Sequence, residues 1–455
     1  MVVAPLTDPD VVVIGAGCAG LSAAARLARQ GLRVLVLEAR PRLGGRATAF
    51  TDAVTGELVD NGQHVLLGCY TETFAFLQEI GAMDRVRLQP QLAVTMIDLQ
   101  GRRSRLVCPA LPAPWHMLAG LLEWDALDWT DRLAALRMAT PLKLLIEQRR
   151  HPSRMAASPG ETVEDWLIRH GQTERLREML WRPLALAALN QATDQASALV
   201  FARVLGDMFG GDARAAAIGL PTTPLHQMYA EPARALIEAI GGEVRTGNAA
   251  TIHLPGGVPE VEAPDGRWRP HAVVSAVPWY ALGGLFNEVP GALADVVAAA
   301  NRMSSSPIVT VNLWFDRLLL DEPFVGLPGR AMQWVFDKRS IFGEGASHLS
   351  IVSSGAISLV DMPNDQLVAL ALAEIVEALP AARSARLQRS AVVRERQATF
   401  SLAPGQPTRP RPITAVRGLY LAGDWTDTGL PATIESAVRS GHRAADFILS
   451  NQVTG

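Results

Sequence analysis

The first forty residues switch between short apolar runs and glycine-rich breaks in an order that predicts strand, helix and strand. Residues 11–14 (VVVI) form a β-branched run typical of a buried strand. Residues 21–28 (LSAAARLA) consist mainly of strong helix formers. A second apolar run covers residues 33–37 and ends at Glu38. The pattern therefore predicts a βαβ unit at the start of an α/β fold.

The turn between this strand and helix, GAGCAG at residues 15–20, has the glycine spacing of a dinucleotide-binding loop. Gly15 permits the tight turn, Gly17 lets the backbone approach a pyrophosphate, and Gly20 lets helix and strand pack closely. Ala19 belongs to the helix N-terminus, whose N–H groups attract an anion. Glu38 follows Gly20 by 18 residues, where a carboxylate can accept hydrogen bonds from ribose hydroxyls. An acid there favours an unphosphorylated ribose, hence FAD or NAD over NADP.

A second glycine turn, ARPRLGGR, follows at residues 39–46. Adjacent glycines free the backbone to bend around a ligand, and an arginine fork fits phosphate oxygens. Taken alone, the stretch is equally compatible with a surface turn. Its place directly after a dinucleotide fingerprint favours ligand binding. The predicted contacts are Ala39, Arg40, Gly44, Gly45 and Arg46.

The end of the chain predicts another strand, turn and helix. Residues 419–422 (LYLA) form a strand-like apolar run, Gly423 and Asp424 a turn, and residues 432–439 a helix start with Thr433 near its cap. N–H groups around Thr433 and Ile434 can stabilise negative charge on a ligand. A strand, turn and helix in this order is common, so this motif indicates cofactor binding only in combination with the N-terminal glycine loop.

The middle of the chain is largely apolar. Residues 176–209 are nearly continuous helix-compatible apolar sequence and are expected to line a long cavity. Thr162 and Asp165 have the spacing of a helix cap. Residues 113–149 are rich in Trp, Leu and Met with interspersed charge. Ordinary core packing is the favoured interpretation of that stripe, and an amphipathic surface resting on a bilayer is the alternative.

Composition excludes several classes of protein. A length of 455 residues predicts two or more domains, and a net charge of −3 gives no basic footprint for nucleic acid. Three cysteines without CxxC spacing argue against a zinc site or disulfide framework. The start lacks a leader pattern, and no run of about 18 apolar residues occurs. We therefore expect a cytoplasmic protein, with peripheral contact at the inner face of the membrane as a further option.

The Gly-Gly-Arg turn after the acid resembles the flavin-containing amine oxidase and carotenoid desaturase superfamily. The resemblance implies FAD and an α/β fold with a Rossmann-like FAD-binding domain and a discontinuous mixed α+β substrate domain. It assigns residues 1–100, 215–280 and 412–455 to the first domain and residues 101–214 and 281–411 to the second. In relatives the strand around Val244 lies near the adenine, and Asp424 can bond the ribityl chain of the flavin. The backbone of the segment from Asp60 to His64, chiefly at Gly62 and Gln63, passes beside the flavin, so His64 is also a predicted cofactor contact.

Three longer stretches narrow the resemblance. DNGQHVLLGCY (60–70), WRPLALAALNQATDQASALVFARVL (181–205) and GDWTDTGLPATIESAVRSG (423–441) are similar to the squalene-associated FAD-dependent desaturases, also described as hydroxysqualene dehydroxylases. The stretch matching the strand that bears the flavin-proximal lysine of amine oxidases, residues 304–315, contains no lysine. The resemblance therefore disfavours amine oxidation.

The resemblance implies reductive removal of an allylic hydroxyl from a C30 isoprenoid alcohol. No second dinucleotide fingerprint is evident, so we expect a separate reductase or carrier as electron donor. One general acid is needed. His64 is the first candidate because it titrates near neutrality, and Asp60 either orients it or is structural; Tyr70 and Asp424 are weaker candidates. A carotenoid-type desaturase, and an escort protein that binds prenylated proteins without a flavin, remain as alternatives.

Overall fold

The computed structural model describes residues 8–52, 56–148, 156–343 and 347–452. A five-stranded parallel sheet brings three distant segments of the chain together. Its two central N-terminal strands are buried along their whole length, as expected for a sheet covered on both faces. This arrangement confirms the Rossmann-like α/β prediction. In spatial order its strands are Glu243–Thr246, Val34–Glu38, Val11–Ile14, Ala272–Ser275 and Leu419–Leu421.

Two helices from opposite ends of the chain pack tightly beside this sheet. The helix Cys18–Arg29 contacts the helix Ile434–Gln452. Their backbones approach so closely that a Cβ added at Gly441 would lie 2.1 Å from the carbonyl oxygen of Ala19. The fingerprint helix and the C-terminal helix are therefore fixed to each other.

A seven-stranded sheet forms the second large unit, and it contains one parallel pair, Phe324–Gly326 with Ala93–Ile97. Side chains on its strands alternate between two environments. Trp334 and Phe336 line a cavity, whereas Val335 packs into the core under the helix Asn364–Ala378. The strands lie in the order Leu387–Phe400, Ser305–Phe315, Ser347–Ser354, Trp334–Asp337, Phe324–Gly326, Ala93–Ile97 and Arg103–Val107.

Three small sheets complete the strand inventory of the described residues. They pair Ala49–Thr51 with Leu58–Asp60; Leu66–Leu67 and Val86–Leu88 with Ile218–Pro221; and Glu260–Ala263 with Thr251–His253 and Gly266–Trp268. The remaining α-helices are Thr71–Glu79, Trp115–Glu123, Trp129–Leu136, Ala139–Gln148, Val163–Arg169, Glu174–Leu176, Arg182–Leu189, Ala198–Phe209, Glu231–Ala239, Ala294–Arg302 and Lys338–Phe342.

The helical segment between residues 115 and 209 behaves largely as its pattern predicts. Thr162 caps the helix Val163–Arg169 by accepting the Asp165 N–H at 3.1 Å. The helix Arg182–Leu189 ends at Asn190, which takes a left-handed conformation with φ +51°. Among the described residues, no helix combines the length and apolar character needed to cross a bilayer. The domain boundaries at residues 100, 215, 280 and 412 stay predictions.

Candidate active site

A cavity of about 730 Å³ runs between the glycine turns of the parallel sheet and the inner face of the seven-stranded sheet. One wall consists of glycine-rich backbone and polar side chains, and the opposite wall is almost wholly apolar. The first wall includes most of the residues predicted to bind the cofactor: Gly15, Gly17, Ala19, Glu38, Ala39, Arg40, Gly44, Gly45, Arg46, Gly62, Gln63, His64, Gly423, Asp424, Thr433 and Ile434.

The first glycine turn has the geometry that its spacing predicts. Gly15 has φ +106°, and a Cβ there would lie 2.9 Å from the Ala276 carbonyl oxygen. A Cβ at Gly20 would lie 1.8 Å from the Gly15 carbonyl oxygen, so this position admits only glycine. Gly20 does not line the cavity. Instead, its lack of a side chain allows the helix to pack closely against the turn. The close approach explains the third glycine of the fingerprint.

The helix that follows offers an open anion site. Gly17 at its N-cap provides no side-chain hydrogen bond, and the first turn contains no acidic residue. Unpaired N–H groups at a helix start, together with the helix dipole, favour a phosphate. A diphosphate is the group that fits this cradle, as FAD requires.

Glu38 fastens the second strand to both glycine turns. Its carboxylate accepts the Ala16 N–H at 2.8 Å and the Arg40 N–H at 2.9 Å, one on each oxygen. A carboxylate oxygen can accept a second hydrogen bond. The two backbone hydrogen bonds fix the position of the carboxylate. Its contact with a ribose stays a prediction.

The second glycine turn folds directly against the first. Gly44 and Gly45 have φ +102° and +59°, and a Cβ at Gly45 would lie 3.3 Å from Gly17 Cα. The Gly44 N–H donates to the Ala16 carbonyl at 2.9 Å. The buried Tyr229 hydroxyl donates to the Gly44 carbonyl at 2.7 Å. Tyr229, which the sequence did not single out, thus helps to fix the turn.

Arg46 and Asp424 both line the cavity and form an ion pair with each other. Arg46 Nη2 lies 2.6 Å from Asp424 Oδ1, and its Nη1 donates to the Ala398 carbonyl at 2.8 Å. Arg46 also lies over the Trp279 ring, 5.4 Å from its centroid. The separate predicted contacts of Arg46 with phosphate and of Asp424 with the ribityl chain stay predictions. The ion pair joins the second turn to the C-terminal motif.

The C-terminal motif forms as predicted. Thr433 Oγ1 accepts the Ser436 N–H at 3.1 Å, which caps the helix beginning at Ile434. Gly423 has φ +145°, and its N–H donates to Ser440 Oγ at 2.7 Å. The helix start therefore faces the cavity with Thr433 and Ile434 at its edge.

The polar segment between residues 60 and 64 reaches the cavity through its last four residues. Asn61 Nδ2 donates to the Arg46 carbonyl and to Glu395 Oε2, each at 3.0 Å. His64 Nδ1 lies 3.0 Å from the Gly62 carbonyl oxygen. This contact assigns the Nδ1–H tautomer and leaves Nε2 available to a ligand.

Burial lowers the pKa of His64 below its ordinary value, and the charges of Arg46 and Lys338 act in the same direction. The imidazole is therefore mainly neutral at neutral pH. Burial also raises the pKa of Tyr70 and of Tyr280, which keeps both cavity-lining phenols protonated.

Asp60 makes its hydrogen bonds away from His64. Its Oδ2 lies 2.8 Å from Lys338 Nζ, and its Oδ1 accepts the Leu225 N–H at 3.2 Å. Asp60 does not line the cavity. These contacts agree with the structural alternative for Asp60, and its orientation of His64 stays a prediction. Lys338, which the sequence did not place at the site, also binds Gln63 Oε1 at 2.6 Å.

Val244 does not line the cavity. It pairs in register with Val36 inside the parallel sheet and is 2% exposed. The residues that line the cavity beyond this strand are Asn248, Ala249 and Ala250. A contact between this strand and the adenine would therefore be made by residues a few positions further along.

The apolar wall comes from both the helices and the seven-stranded sheet. Part of the 176–209 segment lines it, as predicted. Asn190 contributes a polar point and clamps the wall, because its amide donates to the Ser306 carbonyl at 3.0 Å and accepts the Gly355 N–H at 2.7 Å. The apolar lining includes Leu92, Val94, Met96, Leu106, Met117, Leu180, Leu184, Ala188, Met208, Phe209, Ile308, Phe324, Trp334, Phe336 and Val352.

Comparison with known proteins identifies relatives that span the whole chain. Hydroxysqualene dehydroxylase of Rhodopseudomonas palustris is 33% identical over 97% of this chain and 98% of its own length. The protein of the same name from Sinorhizobium fredii is 30% identical over 98% and 99%. The 15-cis-phytoene desaturase of Solanum lycopersicum is 26% identical over 98% of this chain and 79% of its own length.

Solved structures share the fold. An oxidoreductase from Methanosarcina mazei aligns with a TM-score of 0.74 at 20% identity, covering 96% of this chain and 99% of its own. Putrescine oxidase aligns with a TM-score of 0.73 at 20% identity, covering 98% and 100%. The family model for flavin-containing amine oxidoreductases matches residues 18–449. The chain therefore belongs to the flavin-containing amine oxidoreductases, as an FAD-dependent oxidoreductase of the group that contains the hydroxysqualene dehydroxylases.

Proposed function

We propose that this enzyme reductively removes the allylic hydroxyl of hydroxysqualene and releases squalene. The observation that carries the proposal is the continuity of one cavity, which joins the flavin-binding glycine turns to a wall of apolar side chains. A polyisoprenoid chain is favoured there because burying its surface contributes about 25 cal/mol per Å². Two full-length relatives with this named activity support the choice.

The reaction breaks one C–O bond and forms one C–H bond. The hydroxyl leaves as water after taking one proton, and the carbon receives two electrons and a hydrogen. Bound FAD, once reduced, supplies that hydrogen as hydride. The apolar wall excludes competing water, and the diphosphate would be held by the backbone N–H groups near Gly17 and Gly45.

We propose His64 as the proton donor. In its protonated form the ring would keep Nδ1–H on the Gly62 carbonyl and present Nε2–H to the substrate hydroxyl. Because burial lowers the pKa of His64, its protonated ring is a stronger acid than an ordinary imidazolium and donates its proton more readily. Tyr70 is the alternative donor and would remain protonated over a wider pH range.

The two electrons must come from outside this chain. The sequence contains one dinucleotide fingerprint, whose residues Gly15 and Gly17 line the cavity and which we assign to FAD. A separate reductase or electron carrier is therefore part of the proposal.

A desaturase is the second candidate function, favoured by the likeness to the tomato 15-cis-phytoene desaturase. Both candidates are tested by incubating the FAD-loaded enzyme anaerobically with hydroxysqualene and a chemical reductant, and separately with phytoene and an electron acceptor. The proposal requires squalene in the first mixture and no desaturated carotene in the second. The reverse result would assign the desaturase. The escort-protein alternative loses its support because the chain belongs to a family of flavin enzymes.

We further propose that the substrate enters from a membrane surface. The 113–149 stripe divides into two sets, since Met117 and Trp124 are buried whereas Trp115, Trp129 and Leu133 are 62%, 72% and 61% exposed. Exposed aromatic and aliphatic side chains on adjacent short helices suit the bilayer interface. Met117, on the same helix as Trp115, lines the cavity. The buried set agrees with the core interpretation, and we propose the bilayer interpretation for the exposed set.

A further inference from the structure

One of the chain's two lysines is buried beneath the segment that lines the flavin side of the cavity. Lys338 begins the short helix Lys338–Phe342, and its side chain is 1% exposed. Its ammonium nitrogen lies 3.8 Å from the centroid of the Phe342 ring. Lysine is seldom buried so completely without a specific partner.

Lys338 has two such partners on the segment between residues 60 and 64. Its Nζ lies 2.8 Å from Asp60 Oδ2 and 2.6 Å from Gln63 Oε1. Asp60 neutralises the charge, and its other oxygen accepts the Leu225 N–H. Asp60 and Lys338 thereby form a buried ion pair, and the Lys338 ammonium also contacts the Gln63 side chain.

The contact with Lys338 determines which way the Gln63 amide points. An ammonium group only donates hydrogen bonds, so it must face the amide oxygen. The amide nitrogen is then directed away from Lys338 and donates to the His64 carbonyl at 3.0 Å. An amide nitrogen carries two hydrogens, and within the described part of the chain the second has no protein acceptor. Gln63 lines the cavity.

We propose that Lys338 is a positioning residue that fixes the Gln63 amide so that its second N–H donates a hydrogen bond to bound FAD. The inference depends on flavin binding in this cavity and not on the identity of the substrate. A plain buried ion pair would stabilise the fold but would leave the properties of the flavin unchanged.

The test measures the flavin alone, without substrate. Gln63→Glu keeps an oxygen for Lys338 and removes the N–H donor. The double variant Lys338→Met with Asp60→Asn removes both charges together, which avoids an unpaired buried carboxylate. Lys338→Arg retains a cationic donor. Lys143→Met, which changes the chain's other lysine at an exposed position, is the matched control.

Titration of each apoprotein with FAD gives the Kd, and the bound flavin gives an absorption spectrum and a reduction potential. We expect Gln63→Glu and the double variant to raise the Kd about three- to tenfold, the range of one lost hydrogen bond. Both should also shift the spectrum and potential in the same direction, with Lys338→Arg near wild type and Lys143→Met unchanged.

Wild-type Kd, spectrum and potential in Gln63→Glu would overturn the donor role. A change in Gln63→Glu without one in the double variant would overturn the positioning role of Lys338. If the double variant changes only the melting temperature, Lys338 is merely structural and the proposal is wrong. None of these outcomes depends on whether hydroxysqualene is converted.

Discussion

The two walls of the cavity solve different physical problems. The backbone wall contains the glycine turns, with Gly15 and Gly44 in conformations that favour glycine. The opposite, side-chain wall consists of side chains such as Phe324 and Trp334 on regular strands. A backbone wall can hold a charged diphosphate in fixed geometry, whereas a side-chain wall only excludes water and sets a shape. Changes to the two walls should therefore be separable in their effects.

The largest effect is expected at the tightest point of the backbone wall. In Gly20→Val the added Cβ would lie 1.8 Å from the Gly15 carbonyl oxygen, so the first glycine turn must open. The purified variant should contain no bound flavin by absorbance. Gly291→Val is the control, because a Cβ at Gly291 meets nothing within 4 Å. Full flavin content in Gly20→Val would contradict the assigned role of the turn.

His64→Asn tests the chemistry between the two walls. Loss of a general acid should lower kcat, measured per bound flavin, by about 10²-fold. Since only the protonated ring can donate, wild-type kcat should fall as pH rises through the His64 pKa, which burial places below about 6.5. The variant should lose this limb of the profile. An identical pH profile in both proteins would exclude His64 and favour Tyr70.

Filling the side-chain wall should affect the substrate alone. Ala188→Phe adds a ring to the apolar lining and should lower kcat/KM for hydroxysqualene by about tenfold or more, as expected for a steric misfit in an apolar pocket. FAD content should stay at the wild-type level. Ala188→Ser, which hardly changes the volume, is the control. A loss of flavin in Ala188→Phe would show that the walls are not separable.

The smallest effect is expected outside the cavity. Trp129→Gln with Leu133→Gln removes two exposed apolar side chains and should weaken binding to anionic lipid vesicles a few-fold, measured by co-sedimentation. Activity on detergent-dispersed substrate should be retained. Ile357→Gln changes a side chain that is also largely exposed, at 59%, but lies outside the stripe. Equal vesicle binding in both variants would remove the membrane surface from the account.

The difference between the two walls explains which cavity residues could be predicted from the sequence. Turns that need positive φ leave glycines at fixed spacing, so the residues around Gly15, Gly44 and Gly423 could be named in advance. The side-chain wall uses residues that also fill cores, so its members could be predicted only as a segment. Val244 shows the limit of sequence prediction for the cofactor-binding residues. Its pairing within the sheet buries it, whereas Asn248, just after this strand, lines the cavity.

Lys338 shows what pattern alone cannot supply. It lies 275 residues from Gln63 along the chain, and no local motif links the two. The scarcity of lysine in this arginine-rich sequence does not by itself point to this contact. Asn190 is similar: it lies in a helix-compatible run, yet its left-handed conformation and its hydrogen bonds to Ser306 and Gly355 depend on tertiary contacts.

The central claim is that one cavity brings bound flavin and a hydrocarbon alcohol together. A single-turnover experiment tests it most directly: the enzyme is loaded with FAD, reduced without oxygen, freed of reductant and mixed with hydroxysqualene. The account predicts that flavin absorbance returns as squalene forms, with one squalene for each flavin oxidised. Flavin that stays reduced while the substrate remains intact would contradict it.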